Sequence, residues 1–491
     1  MSNPVAIKLK TYIGYGMTDL FSSGAFAIIA AWLMYFFTNF SGLTPIQAGS
    51  ILFIAKIIDT VVSPCVGYLT DNIGNTRLGK RFGRRRIFLL LGAVLVYVYS
   101  LLWIPGMPYF YYMVVYVSVE IIAALVIIPW ETLASEMTDD YKQRSILSAM
   151  RLFYGGFSTW LATFLPGRLF AHFGTSDSRV FFINGVIFSI IFMIALLMTW
   201  STTWERKQET SDQVESPRRF SLKDVFAGMA STLRIRCFRQ HLTMYVVSFT
   251  SLDLFYTVFI YFIIYSLSGT AILASNLLAV GIFLTGWSNA LLAWAVIRYG
   301  QTLCLKVCLI VSLMCFFVFG GFYLWKPLLM LPMMYATSLV YQFFKGGYVY
   351  IIWNIYPFIP DIDELVTRKR REGVFAGIMT LARKSTSALA GMLIGIVLQL
   401  VHFDASSTTQ SLTTVHGITG LFFLGNVLLL LVSTLIAFRF KLSKENHQIV
   451  KDEISRLKNG GQLADTDPQV KSVLFSLTGI EHEKLWPAKN T

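Results

Sequence analysis

The chain has 491 residues, 55% of them hydrophobic and 14% charged, with a mean hydropathy of +0.60. Soluble domains carry about 25% charged residues, so this composition excludes a soluble globular protein and points to repeated transmembrane helices. The net charge of +14 does not read as nucleic-acid binding, because Arg and Lys concentrate in loops between apolar runs, as expected of cytoplasmic loops.

The opening MSNPVAIKLK is short and basic and leads into a full-length span, so the first helix is expected to be retained, not cleaved. Twelve spans follow, at about 13–40, 44–72, 87–105, 108–134, 146–174, 178–203, 242–266, 271–296, 302–325, 328–358, 373–403 and 413–440. The loop after span 2 holds Arg77, Lys80, Arg81, Arg84, Arg85 and Arg86, and the one after span 10 holds Arg368, Lys369, Arg370 and Arg371. Loops near 41–45, 105–108 and 267–271 have no Lys or Arg. This alternation predicts cytoplasmic termini and cytoplasmic even-numbered turns.

The polar stretch 204–240 divides the spans into two sets of six. The expected organisation is a six-helix bundle over 1–203, a cytoplasmic linker over 204–240, a second bundle over 241–440 and a cytoplasmic tail over 441–491. Equal halves with a long linker are the plan of major facilitator transporters, an all-α membrane fold. A faint internal echo agrees: span 4 ends IPWETLASEMTDDYKQR before Arg151, and span 10 ends YPFIPDIDELVTRKRRE before Lys384. In the tail, Ile449, Ile454 and Leu457 space like one helix face that Gly460-Gly461 ends; Asp467 and Pro468 start a second helix as N-cap and first residue.

A charge at mid-membrane costs at least ~2.5–3.5 kcal/mol, so it normally faces an interior or watery cavity with a partner. The in-span set is Asp19, Lys56, Asp59, Glu120, Glu131, Arg151, Asp253, Lys345 and Lys384. Lys56 and Asp59 stand three apart on one helix face. They read either as a salt bridge that orients helices or as a cation-binding carboxylate, Asp59, tuned by Lys56. After them, GYLTDNIGNTRLGKRFGRRR places Asp71 beside Arg77 and Arg84, a pattern suited to a cytoplasmic gate or to plain topology-setting charge.

Four stretches in order carry a resemblance: IGYGMTD in span 1, AKIIDTVVSPCVGYLTD in span 2, IPWETLASEMTDDYKQRSILSAMR across spans 4–5, and IPDIDELVTRKRREGVFAGIMTLARK across spans 10–11. Over residues 11–440 the chain resembles the glycoside–pentoside–hexuronide:cation symporter family, to which the melibiose carrier belongs. The resemblance implies that Asp59 is the cation carboxylate and that Ser63 stands where the melibiose carrier has a second acid. One carboxylate and a hydroxyl make a thin sodium site, so Asp59 is a metal ligand only if Na+ is coupled, and H+ is mildly favoured. The resemblance further implies sugar contacts at Arg151, Lys384 and Thr380. In span 1, Ser23 occupies the position of a sugar-binding aspartate and Asp19 carries the acid one turn earlier.

The expected function is import of a sugar or glycoside by symport with H+ or Na+, with no cofactor. Lys56, Arg151, Lys345 and Lys384 favour an acidic sugar or oligogalacturonide, since Arg and carboxylate pair bidentately. The tail RLKNGGQLADTDPQVKSVLFSLTGIEHEKLW also resembles the uronide branch. The partners expected are the small-molecule sugar and the lipid bilayer, not nucleic acid, with the chain acting as a monomer in a bacterial inner membrane. An exporter or amphiphile carrier is the other class weighed. An enzyme would need a nucleophile or metal set, and the six histidines are scattered.

Overall fold

In hydrocarbon every backbone N–H and C=O must find its partner inside the protein, and a helix achieves this within each segment. The computed structural model follows that rule: all regular structure is helical among the described residues, which are 7–73, 76–138, 140–174, 177–205, 230–368, 371–405, 407 and 409–486. The first six long segments are α1 (Leu9–Asn39), α2 (Pro45–Asn72), α3 (Arg86–Leu101), α4 (Tyr109–Met137), α5 (Tyr141–Phe173) and α6 (Arg179–Thr202). The second six are α7 (Arg236–Ser266), α8 (Ala271–Tyr299), α9 (Gln301–Trp325), α10 (Met330–Ile355), α11 (Glu372–Leu400) and α12 (Leu412–Arg439). Eight of these are long and apolar enough to cross a membrane by length and composition. Residues 206–229, the greater part of the expected linker, lie outside the described residues.

Local chemistry sets the helix starts. Thr44 and Gln47 form a reciprocal capping box ahead of Pro45 at the first position of α2. At α3, Glu205 reaches back from beyond α6 and accepts the backbone N–H groups of Arg84, Arg85 and Arg86 at 2.8, 2.9 and 2.6 Å. A carboxylate is well suited to the exposed amides of a helix N-terminus. Gly83 precedes it at φ +91, and a Cβ there would lie 2.6 Å from Glu205 Oε1.

Within the first half, α1 packs on α5 and α6, and α2 on α4; within the second, α7 packs on α12 and α9 on α10. Across the halves α2 packs on α11 and α5 on α8. Hydrogen bonds joining the halves gather at the ends that carry the short neutral loops. Thr38 meets the Tyr261 hydroxyl at 2.7 Å, the Tyr265 hydroxyl donates to Asn39 at 2.5 Å, and the Gly167 amide donates to Ser275 at 3.0 Å. Backbones touch there too: a Cβ on Gly395 would stand 2.4 Å from the Pro45 carbonyl oxygen. One on Gly49 would stand 2.9 Å from that of Gly391.

After α12 the tail forms α13 (Lys444–Lys458) and α14 (Pro468–Thr478), the latter capped by Asp467, which accepts the Gln469 amide at 2.7 Å. The expected Asp467–Pro468 start is therefore present. In α13 the buried face is Val450, Ile454 and Leu457, with Ile449 only half-buried. Both helices lie against the second half, clamping the short helix Ile359–Thr367. His447 meets Asp361 at 2.9 Å, Lys458 meets Glu364 at 2.5 Å, and the Trp486 amide donates to the Leu365 carbonyl at 2.8 Å. Within the tail, hydrogen bonds from Arg456 hold the Glu453 carboxyl below its ordinary value.

Two outcomes are expected. Gly395→Val forces α2 and α11 apart; overpacking of about 1–3 kcal/mol should cut the closed-end population and transport about tenfold, read as new accessibility of a Thr38→Cys reporter on the same seal, which is buried when Gly395 is kept. Leu474→Asp with Leu477→Asp buries two charges under α14, and should make the segment after residue 440 a fast target in limited proteolysis of detergent-solubilised protein.

Candidate functional site

Between the halves lies a cavity of about 640 Å³ whose largely apolar wall carries a few hydroxyl groups and a ring of charges from α2, α4, α7 and α11. Its charged residues are Lys56, Asp59, Glu120, Glu131, Asp253, Arg383 and Lys384. Each makes an ion pair, as the cost of an isolated charge in a poorly solvated site requires.

The pair that crosses the halves is Lys384–Asp59. The Lys384 ammonium donates to Asp59 Oδ2 at 2.8 Å and to the Ser63 hydroxyl at 2.7 Å, and that hydroxyl donates to Asp59 Oδ1 at 3.0 Å. Both Asp59 oxygens are thus engaged. Ser63 stands one turn beyond Asp59, and Pro64 follows, unable to donate to the Thr60 carbonyl. Asp59 is 7% exposed.

The expectation that Lys56 partners Asp59 is corrected. Lys56 reaches α4 instead, where it meets Glu120 at 2.6 Å. Helix α2 packs against both α4 and α11, so two residues on one of its faces can serve different neighbours. The long Lys56 stem spans to the nearly inaccessible Glu120, while the short Asp59 side chain meets a lysine from the other half. Shared helical face did not mean shared bond.

The remaining pairs lie within one half. Arg383 holds Asp253 by two bonds, Nη1 to Oδ2 at 2.6 Å and Nη2 to Oδ1 at 2.7 Å. Arg151 donates to Glu131 at 3.0 Å and stacks over Trp130 at 4.2 Å. Trp130 in turn packs against Tyr15 at 5.4 Å. Glu131 lines the cavity and Arg151 stands behind it. Asp19 is buried and accepts the Ser23 hydroxyl at 3.1 Å; neither residue is part of the cavity wall. Of the sequence-derived candidates, Lys56, Asp59, Ser63, Thr380 and Lys384 line the cavity together. Arg151, Asp19 and Ser23 do not.

Aromatic side chains divide between the core and the cavity wall. Tyr341 is wholly buried against Phe255 and Phe316, whereas Tyr116 and Tyr256 face the cavity. Behind Tyr256, Lys345 donates to its hydroxyl at 2.6 Å and to the Gln342 carbonyl. Arg383 is absent from the in-span charges expected from sequence, where its neighbour Lys384 stands. The spacing of Thr380, Arg383, Ser387 and Gly391 along a single face of α11, at i, i+3, i+7 and i+11, was the available signal.

At the basic end, Arg84 donates to Glu136 at 2.6 Å, and Arg85 bonds Glu136 and Thr132. Glu136 is on α4, so the Arg84 contact braces the first half and does not span the two. Arg77 is exposed, and the Asp71 side chain lies outside the described residues. In the second half, Arg371 makes the corresponding brace to Asp363 and Ser231.

Comparison with known proteins places this architecture. Residues 14–444 match the family described as MFS/sugar transport protein, and the chain belongs to that family. It is a multi-pass integral membrane protein of a sugar-transport family and not an enzyme. It is 26% identical to the inner membrane symporter YicJ of Escherichia coli (strain K12), over 95% of this chain and 99% of that one. It is 21% identical to the glucuronide carrier protein homolog of the same strain, over 92% and 97%. The isoprimeverose transporter of Lactiplantibacillus pentosus is 26% identical over 43% of this chain and 44% of its own. Among solved structures, a bacterial homologue of the human drug peptide transporters PepT1 and PepT2 aligns with TM-score 0.59 at 15% identity. That alignment covers 91% of this chain and all of the other. The nucleoside transporter NupG aligns at 0.56 with 14% identity, covering 88% and 98%. These likenesses define the fold.

Glu120→Gln should destabilise the protein, by up to about 3 kcal/mol, because it strands the Lys56 ammonium. The pair-removing variant Lys56→Met with Glu120→Met should recover much of the loss. Thermal unfolding of the three purified proteins checks both.

Proposed function

We propose that this protein imports an acidic sugar together with one cation, and that Asp59 is the residue through which the two are coupled. The observation that carries the reading is the Lys384 ammonium bound at once to Asp59 and Ser63 across the halves. While Asp59 is ionised, Lys384 is neutralised and the halves are tied at mid-membrane. A cation on Asp59 competes with that bond. It releases a positive charge into the cavity, which a sugar can then occupy.

A proton suits the site better than sodium. Sodium needs several hard oxygens around a common point, and here the two Asp59 oxygens are already engaged by an ammonium and a hydroxyl. A proton needs only the carboxylate. The charge balance supports an acidic substrate. Lys56, Arg151, Arg383 and Lys384 are each matched by a carboxylate, and Lys345 adds a further buried amine held by neutral groups. Loading Asp59 leaves the cavity with an excess of positive charge, and a substrate carboxylate removes it.

Basic loops on one side support the reading that this side is cytoplasmic. The end sealed by Gly49, Gly391 and Gly395 then faces outward, and the closed outer end is the conformation of one stage in alternating access. Arg151, with Glu131 and Trp130, is read as a second sugar contact that becomes available when Glu131 moves. Asp71, Arg77 and Arg84 are retained as a cytoplasmic switch region in which Arg84 acts as a brace.

Asp59→Asn mimics the loaded state. In proteoliposomes given a pH or sodium gradient it should abolish uphill accumulation of methyl β-D-glucuronide while keeping exchange of that sugar across the membrane. Normal accumulation by Asp59→Asn would remove Asp59 from coupling. A response to the sodium gradient alone would replace the proton.

A further inference from the structure

Lys384 is not the only cation that α11 brings to the cavity. Its neighbour Arg383 lines the same space from the next position. Successive helix residues point about 100° apart, so the two diverge: Lys384 goes to α2 in the first half, and Arg383 to Asp253 on α7 in the second.

Three features set the Arg383 guanidinium apart from a simple structural bridge. It is held end-on, with Nη1 and Nη2 each on one Asp253 oxygen. Among the described residues no hydrogen bond runs from its Nε. Its plane lies near the Phe249 ring, with Cζ 5.4 Å from the centroid. An Arg side chain carries five donors in a rigid fork, and its Nε edge matches a carboxylate as well as its end does. Asp253 and Phe249 therefore orient the fork while using only one of its two edges. The side chain keeps 27% of its surface exposed although it sits within the helix bundle.

We propose that Arg383, oriented by Asp253, is the residue that recognises the acidic group of the transported sugar, presenting its Nε edge to a carboxylate carried on a pyranoside ring. This rests on the acidic-sugar reading given above and assigns the group that performs it. Arg383 is always charged and always held; Lys384 becomes available only when Asp59 is loaded. A sugar carboxylate thus finds one permanent donor and one conditional donor on consecutive residues of one helix. Affinity for the acidic sugar should rise when the cation binds. Asp253 is a positioning residue here: it fixes the fork and cancels its charge in the empty cavity.

The experiment compares two matched probes, methyl β-D-glucuronide and methyl β-D-glucoside, by titration calorimetry on the purified full chain under one fixed buffer condition. The wild type should prefer the glucuronide by about thirtyfold or more, the scale of a bidentate charge-assisted contact. In Arg383→Gln that ratio should collapse toward one. Arg383→Lys keeps the charge beside Asp253 but not the fork, and should give an intermediate ratio. Asp253→Asn should lower the ratio several-fold, mainly through the glucuronide. Should the substituted proteins not fold, phenylglyoxal labelling of the wild type decides: Arg383 should be protected by the glucuronide and not by the glucoside. A glucuronide preference untouched in Arg383→Gln, or equal labelling of Arg383 with either sugar, overturns the assignment and leaves the acidic-sugar reading standing. A wild type that prefers the glucoside overturns both.

Discussion

The contact on which the rest of the structure turns is the ion pair between Asp59 and Lys384. It joins the two halves at mid-membrane, where the environment makes an unpaired charge expensive and a paired one stable. The other cavity pairs, Lys56–Glu120, Arg151–Glu131 and Arg383–Asp253, each close within one half. Rigid-body rocking of one half against the other leaves those three intact. It must stretch or break the fourth. Any relative movement of the halves therefore bears on the Asp59–Lys384 pair, while the charges elsewhere keep their partners.

The sealed end works by a different kind of force. Glycines at 49, 391 and 395 let α2 and α11 approach backbone to backbone, and Tyr261 and Tyr265 add hydrogen bonds to Thr38 and Asn39. Such contacts gain many small dispersion terms and lose them all over a short separation. They are suited to an interface that is either closed or open. The ion pair at mid-membrane and the small-residue seal at one end lie along the same two helices, so a change at Asp59 has a direct mechanical route to the seal. This is a physical connection between packed elements, the kind that coupled sites require.

The basic end is organised to hold each half together. Glu205 caps α3, Glu136 collects Arg84 and Arg85, and Arg371 returns to Asp363. The tail helices α13 and α14 extend this on the second half, where Leu474 and Leu477 are buried. The acidic end of α4 and the short acidic helix Ile359–Thr367 that follows α10 thus serve the same purpose in both halves, which gives the weak sequence echo between these segments a structural meaning. Each half is braced within itself at this end.

The sequence by itself determined the helical class and the order of the spans, and it singled out Asp59 as a charge within span 2 that needs a partner. Hydrophobic length, loop charge and the Thr44-Pro45 and Asp467-Pro468 starts act over a few residues and are legible locally. It also marked Lys56, Asp59, Ser63, Thr380 and Lys384 as cavity residues. What it could not decide was who pairs with whom. An i, i+3 spacing placed Lys56 beside Asp59, but each reached a different helix, because side-chain length and the neighbours on either side of α2 settle the partner. Arg151 and Asp19 have the right chemistry for the cavity yet stand outside its wall, Arg151 behind Glu131 and Asp19 against α5. Arg383 was hidden beside a more familiar lysine. Ion pairs across a bundle join residues as distant as 59 and 384, and only the tertiary packing that brings α2 to α11 decides them.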